Sequence, residues 1–414
     1  MEQIVMTGLD FRNAPVQIRE QLAMTKEQAK RAAQQIQKQL SASACVVLST
    51  CNRTEVWVSG SFAEPPALWQ ALCAIKGVAA EPFAGLFQTR SGEQAVAYLF
   101  RLASGMESQI YGEDQIIAQV GDAAILARQA GTMDAVLEAL FRMAVTAAKA
   151  VKTQTRLTPL HSSVAACAVD FLEQQVGSFQ DMPCLIIGNG EIGRLAANAL
   201  LQKGARVWVT VRSHHGGGVT VLQGCTPVPY DNRLLCLPQA RVVISATTSP
   251  HYTLRAAELP PFAHPVLLCD LAVPRDIEPQ VSNLPNVRLF DTDAVCCGKE
   301  YGVDPAELSR AEGILQDGVA EFLRWLRFYP LIPAARETSE LAAKDFSERI
   351  RKTVRQLSLP PDQQKLLLGE LEQAARKTVE RLAFGMREQL EPQLWEPCLK
   401  GLQLSAQQGT HHET

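Results

Sequence analysis

At 414 residues the chain is long enough for two or three domains, and an apolar content of 47% supplies full cores and excludes a disordered polypeptide. A net charge of -3 gives no bulk pull toward nucleic acid or membrane, so any RNA contact must come from a local patch. There is no apolar run long enough to span a bilayer and no signal-peptide pattern in Met1-Glu2-Gln3-Ile4. The eleven scattered cysteines lack a Cys-x-x-Cys pair, so free thiols in a cytoplasmic protein are expected, and no metal site.

Ile4–Gly8 reads as a first strand. Phe11–Val16 reads as a loop, because Pro15 denies Ala14 the helical region. Thr25–Leu40 reads as a helix whose Thr25 and Gln28 form a capping box. Cys45–Leu48 and Val56–Val58 are strand-like runs on either side of Ser49-Thr50-Cys51-Asn52-Arg53-Thr54-Glu55, so Cys51 sits where the backbone leaves a sheet. A small buried cysteine ending a strand is one reading. The polar flanks, costly to bury unpaired, favour the other: a reactive thiol whose thiolate is stabilised by Arg53.

Helices follow at Glu93–Ala103 and Gln115–Ala130. The segment between them, Ser104 to Gln115, contains two glycines and several hydrogen-bonding side chains. It reads equally as a recognition loop or as an ordinary helix connection capped by Asp114. Met133–Lys152 has helical apolar spacing and reads as core.

A second unit starts near Ser162. The strand Pro183–Ile187 runs directly into Gly188-Asn189-Gly190-Glu191-Ile192-Gly193, then a helix over Arg194–Gln202 and a strand over Ala205–Val211. A G-x-G-x-x-G placed between strand and helix marks a Rossmann-type dinucleotide site, with the pyrophosphate at the helix N-terminus. The second strand ends in Thr210-Val211-Arg212-Ser213, with no acid for a ribose 2′-OH. Arg212 and Ser213 suit a 2′-phosphate, hence NADP. Further strands at Arg241–Ser245, Val266–Asp270 and Arg288–Phe290 imply a parallel, doubly wound sheet.

Asp304-Pro305-Ala306-Glu307 starts a helix that runs to about Phe328, where Pro330 and Pro333 interrupt it. Residues 336–402 are nearly all helical, and their apolar faces are expected to meet a second subunit or to close a helical subdomain. The cluster Arg349, Arg351, Lys352 and Arg355 reads most simply as a solvated face, with an RNA-contacting patch as the alternative. The tail beyond Gln403 is expected to fray.

In sequence order, Gly8-Leu9-Asp10, Ala14-Pro15, Ile18-Arg19-Glu20, Leu48 to Glu55, Leu99 to Gly105, Gly112 to Ile116 with Gln119, the glycine motif, Asp270 to Ile277 and Glu321 to Leu326 resemble glutamyl-tRNA reductases. The resemblance spans nearly the whole chain. It implies an α/β multidomain protein with three parts. Residues 1–157 form an α+β catalytic domain binding glutamyl-tRNA, 158–300 a doubly wound Rossmann-type NADP domain, and 301–414 an all-α arm and dimerisation domain.

Under this resemblance Cys51 attacks the glutamyl ester of glutamyl-tRNA(Glu), and NADPH reduces the thioester to glutamate-1-semialdehyde, the first step of five-carbon tetrapyrrole biosynthesis (haem, sirohaem, cobalamin). Thr50, Asn52, Arg53, Ser108, Glu113, Asp114, Gln115 and Gln119 hold the glutamyl group. Charge assigns Arg53 to its carboxylate and Glu113 to its ammonium. A homodimer through the C-terminal helices and hand-off to glutamate-1-semialdehyde aminomutase are implied as partners.

Tyr98 stands at an activity-linked position where the family usually has His, and Phe11 stands where it often has His or Tyr. The Thr247–Pro250 turn lacks a glycine common at that place. These departures motivate an alternative, a catalytically weakened paralogue that binds NADP as a regulatory protein. A third reading is a dehydrogenase acting on a small substrate.

Overall fold

The hairpin that carries Cys51 forms where its apolar flanks place it, but its strands run further into the polar cluster than expected: Ser49 pairs with Thr54 and Leu48 with Glu55, which leaves Thr50, Cys51 and Asn52 at the bend. The computed structural model describes residues 3–61, 67–157, 163–212, 221–296, 304–357 and 359–409. Ser213, assigned above to the 2′-phosphate, lies outside them, as do His214, His215 and Cys297.

β1 (Gln3–Asp10) leads to α1 (Val16–Leu22) and α2 (Lys26–Leu40). β2 (Ala44–Ser49) and β3 (Arg53–Gly60) follow, then α3 (Leu68–Lys76), β4 (Gln88–Ser91), α4 (Gly92–Ala103), α5 (Gln115–Ala130) and α6 (Ala135–Gln154). The strands make an antiparallel sheet in the order β2-β3-β1-β4. α2 begins with the expected capping box at Thr25 and buries Ala29, Ala32, Ala33 and Ile36 on one face.

The loop expected over Phe11–Val16 is shorter than that. Pro15 has extended backbone and serves as N-cap, so the helix α1 starts at the very next residue.

The second half comprises α7 (Val164–Val176), β5 (Pro183–Ile187), α8 (Glu191–Gln202), β6 (Arg206–Val211), β7 (Thr226–Pro229), α9 (Arg233–Cys236), β8 (Val242–Ser245), β9 (Val266–Asp270), β10 (Val287–Asp291) and α10 (Thr292–Cys296). All six strands are parallel, in the order β10-β9-β8-β5-β6-β7. Along β5, Cys184 and Ile186 enter one apolar layer and Leu185 and Ile187 the other, as a sheet covered on both faces requires. The strand order reverses between β5 and β8, and ligands of such sheets bind at the carboxyl ends there.

α11 (Pro305–Phe328) begins with Asp304 accepting from the Ala306 amide at 2.9 Å. The chain divides into two units, Met1–Val319 and Ala320–Thr414. Within the second unit a short 3-10 turn over Tyr329–Leu331 marks the proline interruption before α12 (Ile332–Gln356), α13 (Pro361–Gln389) and α14 (Pro392–Gly409). Phe328, Ala335, Ala383, Trp395 and Leu399 form its small core. Arg349, Arg351, Lys352 and Arg355 are exposed on α12. The tail expected to fray beyond Gln403 is helical as far as Gly409, where α14 ends, and the Gln403 amide donates to Glu337 at 3.1 Å; residues 410–414 lie outside the described residues.

Candidate active site

The bend between β2 and β3 is closed by the Thr50 amide donating to the Arg53 carbonyl at 2.9 Å, and by the Asn52 amide donating to Thr50 Oγ1 at 3.2 Å. The Phe11 amide donates to the Asn52 carbonyl at 3.0 Å, so Phe11 supports the bend through its backbone. Cys51 is half-buried at the tip. Burial pushes its thiol up to about 11. Glu113 adds to the rise, while Arg19 and Arg53 oppose it.

Arg53 therefore acts in the expected direction, but burial outweighs it, and the free protein carries a thiol at neutral pH. Alkylation of Cys51, followed on its own peptide by mass spectrometry, should rise about tenfold per pH unit between about pH 7 and 10. A plateau reached below about pH 9 would contradict this protonation state.

Period-2 alternation places Arg53, Glu55 and Trp57 on one face of β3, while Val56 and Val58 enter the core on the other. Arg53 and Glu55 are each 1% exposed, a burial that polar side chains tolerate when paired. Arg53 Nη1 donates to Glu55 Oε1 at 2.9 Å and to the Tyr98 hydroxyl at 2.8 Å. Tyr98 in turn donates to Glu55 Oε1 at 2.7 Å, and Trp57 Nε1 to Glu55 Oε2 at 3.1 Å. Arg53 Nη2 donates to the Glu107 carbonyl. The guanidinium expected to meet a substrate carboxylate is thus already committed on two of its nitrogens. Burial, and then the charge of Glu55, hold the Tyr98 phenol well above its ordinary range, so it keeps its proton and acts as a donor.

The segment after α4 is a compact loop closed on itself. Gly105 and Gly112 have φ of 80° and 72°, and the Gly112 amide donates to the Gly105 carbonyl at 3.0 Å. A Cβ on Gly105 would lie 2.8 Å from Gly112 Cα, so Gly105 has no room for a side chain, and the left-handed backbone at Gly112 favours glycine there too. The loop brings the Glu113 carboxylate within electrostatic reach of the thiol, with Ser108 close to Glu113. Burial raises Glu113, and Ser108 and Arg53 partly reverse it; the Ser108 hydroxyl lies nearby without reaching hydrogen-bonding geometry.

Asn52 Oδ1, Ser108 Oγ and Gln109 Oε1 are buried with no hydrogen-bond partner, although such groups in folded proteins are nearly always satisfied. The Asp114 backbone is helical and makes no side-chain cap. Its carboxylate instead pairs with Lys152 at 2.7 Å. Gln115 and Gln119 lie one turn apart on α5, both half-buried.

Two ion-paired groups were not legible as site residues. Glu107 pairs with Arg12 at 2.6 Å and with Arg101 at 2.8 Å, and Arg101 reaches Glu312 at 3.0 Å. On α1, Arg19 pairs with Asp293 at 2.9 Å, and Glu20 accepts from Arg275 Nε at 2.9 Å.

At the sheet's reversal point the three motif glycines do different things. Gly188 has φ of 109°, and a Cβ there would lie 2.5 Å from the Ala246 carbonyl oxygen. A Cβ on Gly193 would lie 2.0 Å from the Gly188 oxygen. Gly190 faces open space, leaving room for a pyrophosphate against the backbone. α8 starts at Glu191, three residues earlier than expected, so the amides of Glu191, Ile192 and Gly193 form its first turn. Asn189 precedes them in the loop, and Thr210 Oγ1 anchors the Gly188 amide at 2.9 Å.

Exposed Arg212 follows β6 and stacks on Tyr230, 4.4 Å from the ring centroid. This chemistry fits a nicotinamide dinucleotide, and Arg212 fits a 2′-phosphate. Among the described residues no cluster of His, Cys, Asp or Glu is arranged to hold a metal, and no helix is long and apolar enough to cross a membrane.

Comparison with known proteins follows the same division. A family model described as glutamyl-tRNAGlu reductase, N-terminal domain, matches residues 7–155, and one described as shikimate/quinate 5-dehydrogenase matches residues 170–296. The glutamyl-tRNA reductase of Acetivibrio thermocellus is 35% identical over 328 residues, covering 78% of this chain and 97% of that protein. That of Moorella thermoacetica is 35% identical over 380 residues, covering 88% and 86%. The solved glutamyl-tRNA reductase of Methanopyrus kandleri aligns over 98% of this chain and 99% of that one, with 24% identity and a TM-score of 0.42.

Proposed function

We propose, because the chain belongs to the glutamyl-tRNA reductase family, that this oxidoreductase converts glutamyl-tRNA(Glu) to glutamate-1-semialdehyde with NADPH through a thioester on Cys51, opening the five-carbon route to tetrapyrroles. What supports the reading most is the half-buried thiol at the β2–β3 bend, on which Glu113 of the loop before α5 acts, together with the buried oxygens without partners on neighbouring Asn52 and on Ser108 and Gln109 of that loop. Unpaired buried acceptors of this kind suit a small polar group such as a glutamyl moiety.

Cys51 loses its proton and its sulfur attacks the ester carbonyl. The C–S bond forms, the C–O bond to the tRNA ribose breaks, and the ribose oxygen takes up a proton. NADPH, when bound, supplies the hydride that takes the thioester to the aldehyde and restores the sulfur. Thr50, Asn52, Ser108, Gln115 and Gln119 hold the glutamyl group, with Glu113 toward its ammonium. Arg53 presents its remaining N–H groups to the carboxylate, and Asp114 acts through the loop. Tyr98 is a positioning residue that keeps Arg53 and Glu55 aligned.

Gly188, Asn189, Gly190, Glu191, Ile192 and Gly193 cradle the pyrophosphate, and Arg212 takes the 2′-phosphate. Gly193→Ala places a methyl group on the Gly188 carbonyl, so NADPH affinity should fall by at least about a hundredfold while Cys51 alkylation is unchanged. Calorimetric titration and peptide mass spectrometry read the two halves separately.

Exposed Leu366, Leu382, Leu394, Leu402 and Leu404 on α13 and α14 suit a homodimer through the helical unit, and hand-off to glutamate-1-semialdehyde aminomutase belongs to the same proposal. Incubation with glutamyl-tRNA and NADPH tests the central reading. It predicts semialdehyde and, without NADPH, a glutamyl adduct on the Cys51 peptide. Adduct without reduction would instead mark a weakened paralogue, and reduction of free small acids a different dehydrogenase.

A further inference from the structure

Each of the three guanidinium nitrogens of Arg19 has a partner, and one of those partners belongs to the turn that carries the candidate nucleophile. Nε donates to the Cys51 carbonyl at 3.3 Å. Nη1 donates to the Ala14 carbonyl at 2.8 Å and to Asp293 Oδ2 at 3.2 Å, and Nη2 donates to Asp293 Oδ1 at 2.9 Å. Asp293 Oδ2 also accepts from the Val16 amide at 2.8 Å, one of the free N–H groups at the start of α1.

Arg19 is 2% exposed, and a buried cation of this kind is stable when an acid faces it. That acid comes from α10, in the nucleotide-binding half, more than two hundred and seventy residues further along the chain.

We infer that Arg19 is a positioning residue for Cys51: anchored by Asp293, its planar fork fixes the Cys51 turn and holds a cation against the sulfur. Three charged groups act on this thiol from the elements around it: Glu113 from the loop before α5, Arg19 from α1 and Arg53 from β3. Glu113 opposes ionisation. Of the two cations Arg19 acts more strongly, and Arg53 is engaged with Glu55 and Tyr98. A fork bonded to both an acid and a carbonyl is a geometry that lysine, a single point charge, does not reproduce. The inference rests on the reading of Cys51 as nucleophile, but its test does not depend on acylation.

The experiment measures the pH profile of iodoacetamide alkylation at the Cys51 peptide in the full-length wild-type protein, Arg19→Gln and Arg19→Lys, with thermal unfolding to confirm folding. Arg19→Gln should raise the apparent thiol pKa by about one unit. At about pH 8 alkylation should slow roughly threefold, because tenfold less thiolate is partly offset by its greater nucleophilicity. Arg19→Lys should fall between the two, and it decides alone if Arg19→Gln does not fold. A profile of either folded variant that superimposes on the wild type overturns the inference. Absence of a glutamyl adduct on wild-type Cys51, alongside a shifted alkylation profile, would sink the nucleophile reading and leave Arg19's role standing.

Discussion

Cys51→Ser should reduce semialdehyde formation by a thousandfold or more, about 4 kcal/mol of lost barrier lowering. The substitution removes one polarisable sulfur and leaves the fold nearly untouched, since Cys51 is half-buried at a bend held by backbone bonds. Serine keeps a hydroxyl of similar size, but its proton is far more tightly held than a thiol's. The Tyr98 phenol keeps its own proton, and a carboxylate such as Glu113 is too weak a base to ionise a hydroxyl. The oxygen ester formed on serine would in any case be a poorer hydride acceptor than a thioester. The glutamyl adduct should vanish from the residue 51 peptide while NADPH binding persists. Product formation within tenfold of wild type would exclude covalent capture at this position.

Arg53→Gln should act on both activity and stability. The substitution leaves Glu55, 1% exposed, with hydrogen bonds from Tyr98 and Trp57 but no facing cation. Breaking a buried ion pair from one side costs about 3–5 kcal/mol, less whatever protonation of the orphaned carboxylate recovers. The bond to the Glu107 carbonyl is lost as well, and with it a tie between β3 and the loop carrying Ser108 and Glu113. The ratio kcat/KM should fall by well over tenfold and the unfolding midpoint should drop. Arg53→Lys should recover part of the stability but little of the activity, since one ammonium does not bridge Glu55, Tyr98 and the loop carbonyl together. A stable, fully active Arg53→Gln protein would remove Arg53 from the site.

Local signals made much of this legible from sequence. The bend at Cys51 followed from apolar runs on both sides, the α2 cap from Thr25 and Gln28, and the nucleotide loop from glycines wedged between strand and helix. What stayed hidden was non-local or masked by a competing local cue. Pro15 read as a loop residue, whereas a proline just ahead of a helix suits its start. The edge strands β4 and β7 escaped because one is polar and the other carries Pro227 and Pro229, which an edge tolerates. Asp114 looked like a cap, but Lys152 supplies a charged partner that sequence spacing does not reveal. The roles of Tyr98, Glu107 and Asp293 depend on partners 43, 95 and 274 residues away.

The ion pairs on α1 have a consequence for assembly. Arg19 and Glu20 are chain neighbours of opposite sign, and they meet Asp293 and Arg275, also of opposite sign. Exchanging the partners would set cation against cation and acid against acid, turning two attractions into two repulsions. The contact is therefore polarised: it favours the alignment seen here and penalises the one with the partners exchanged.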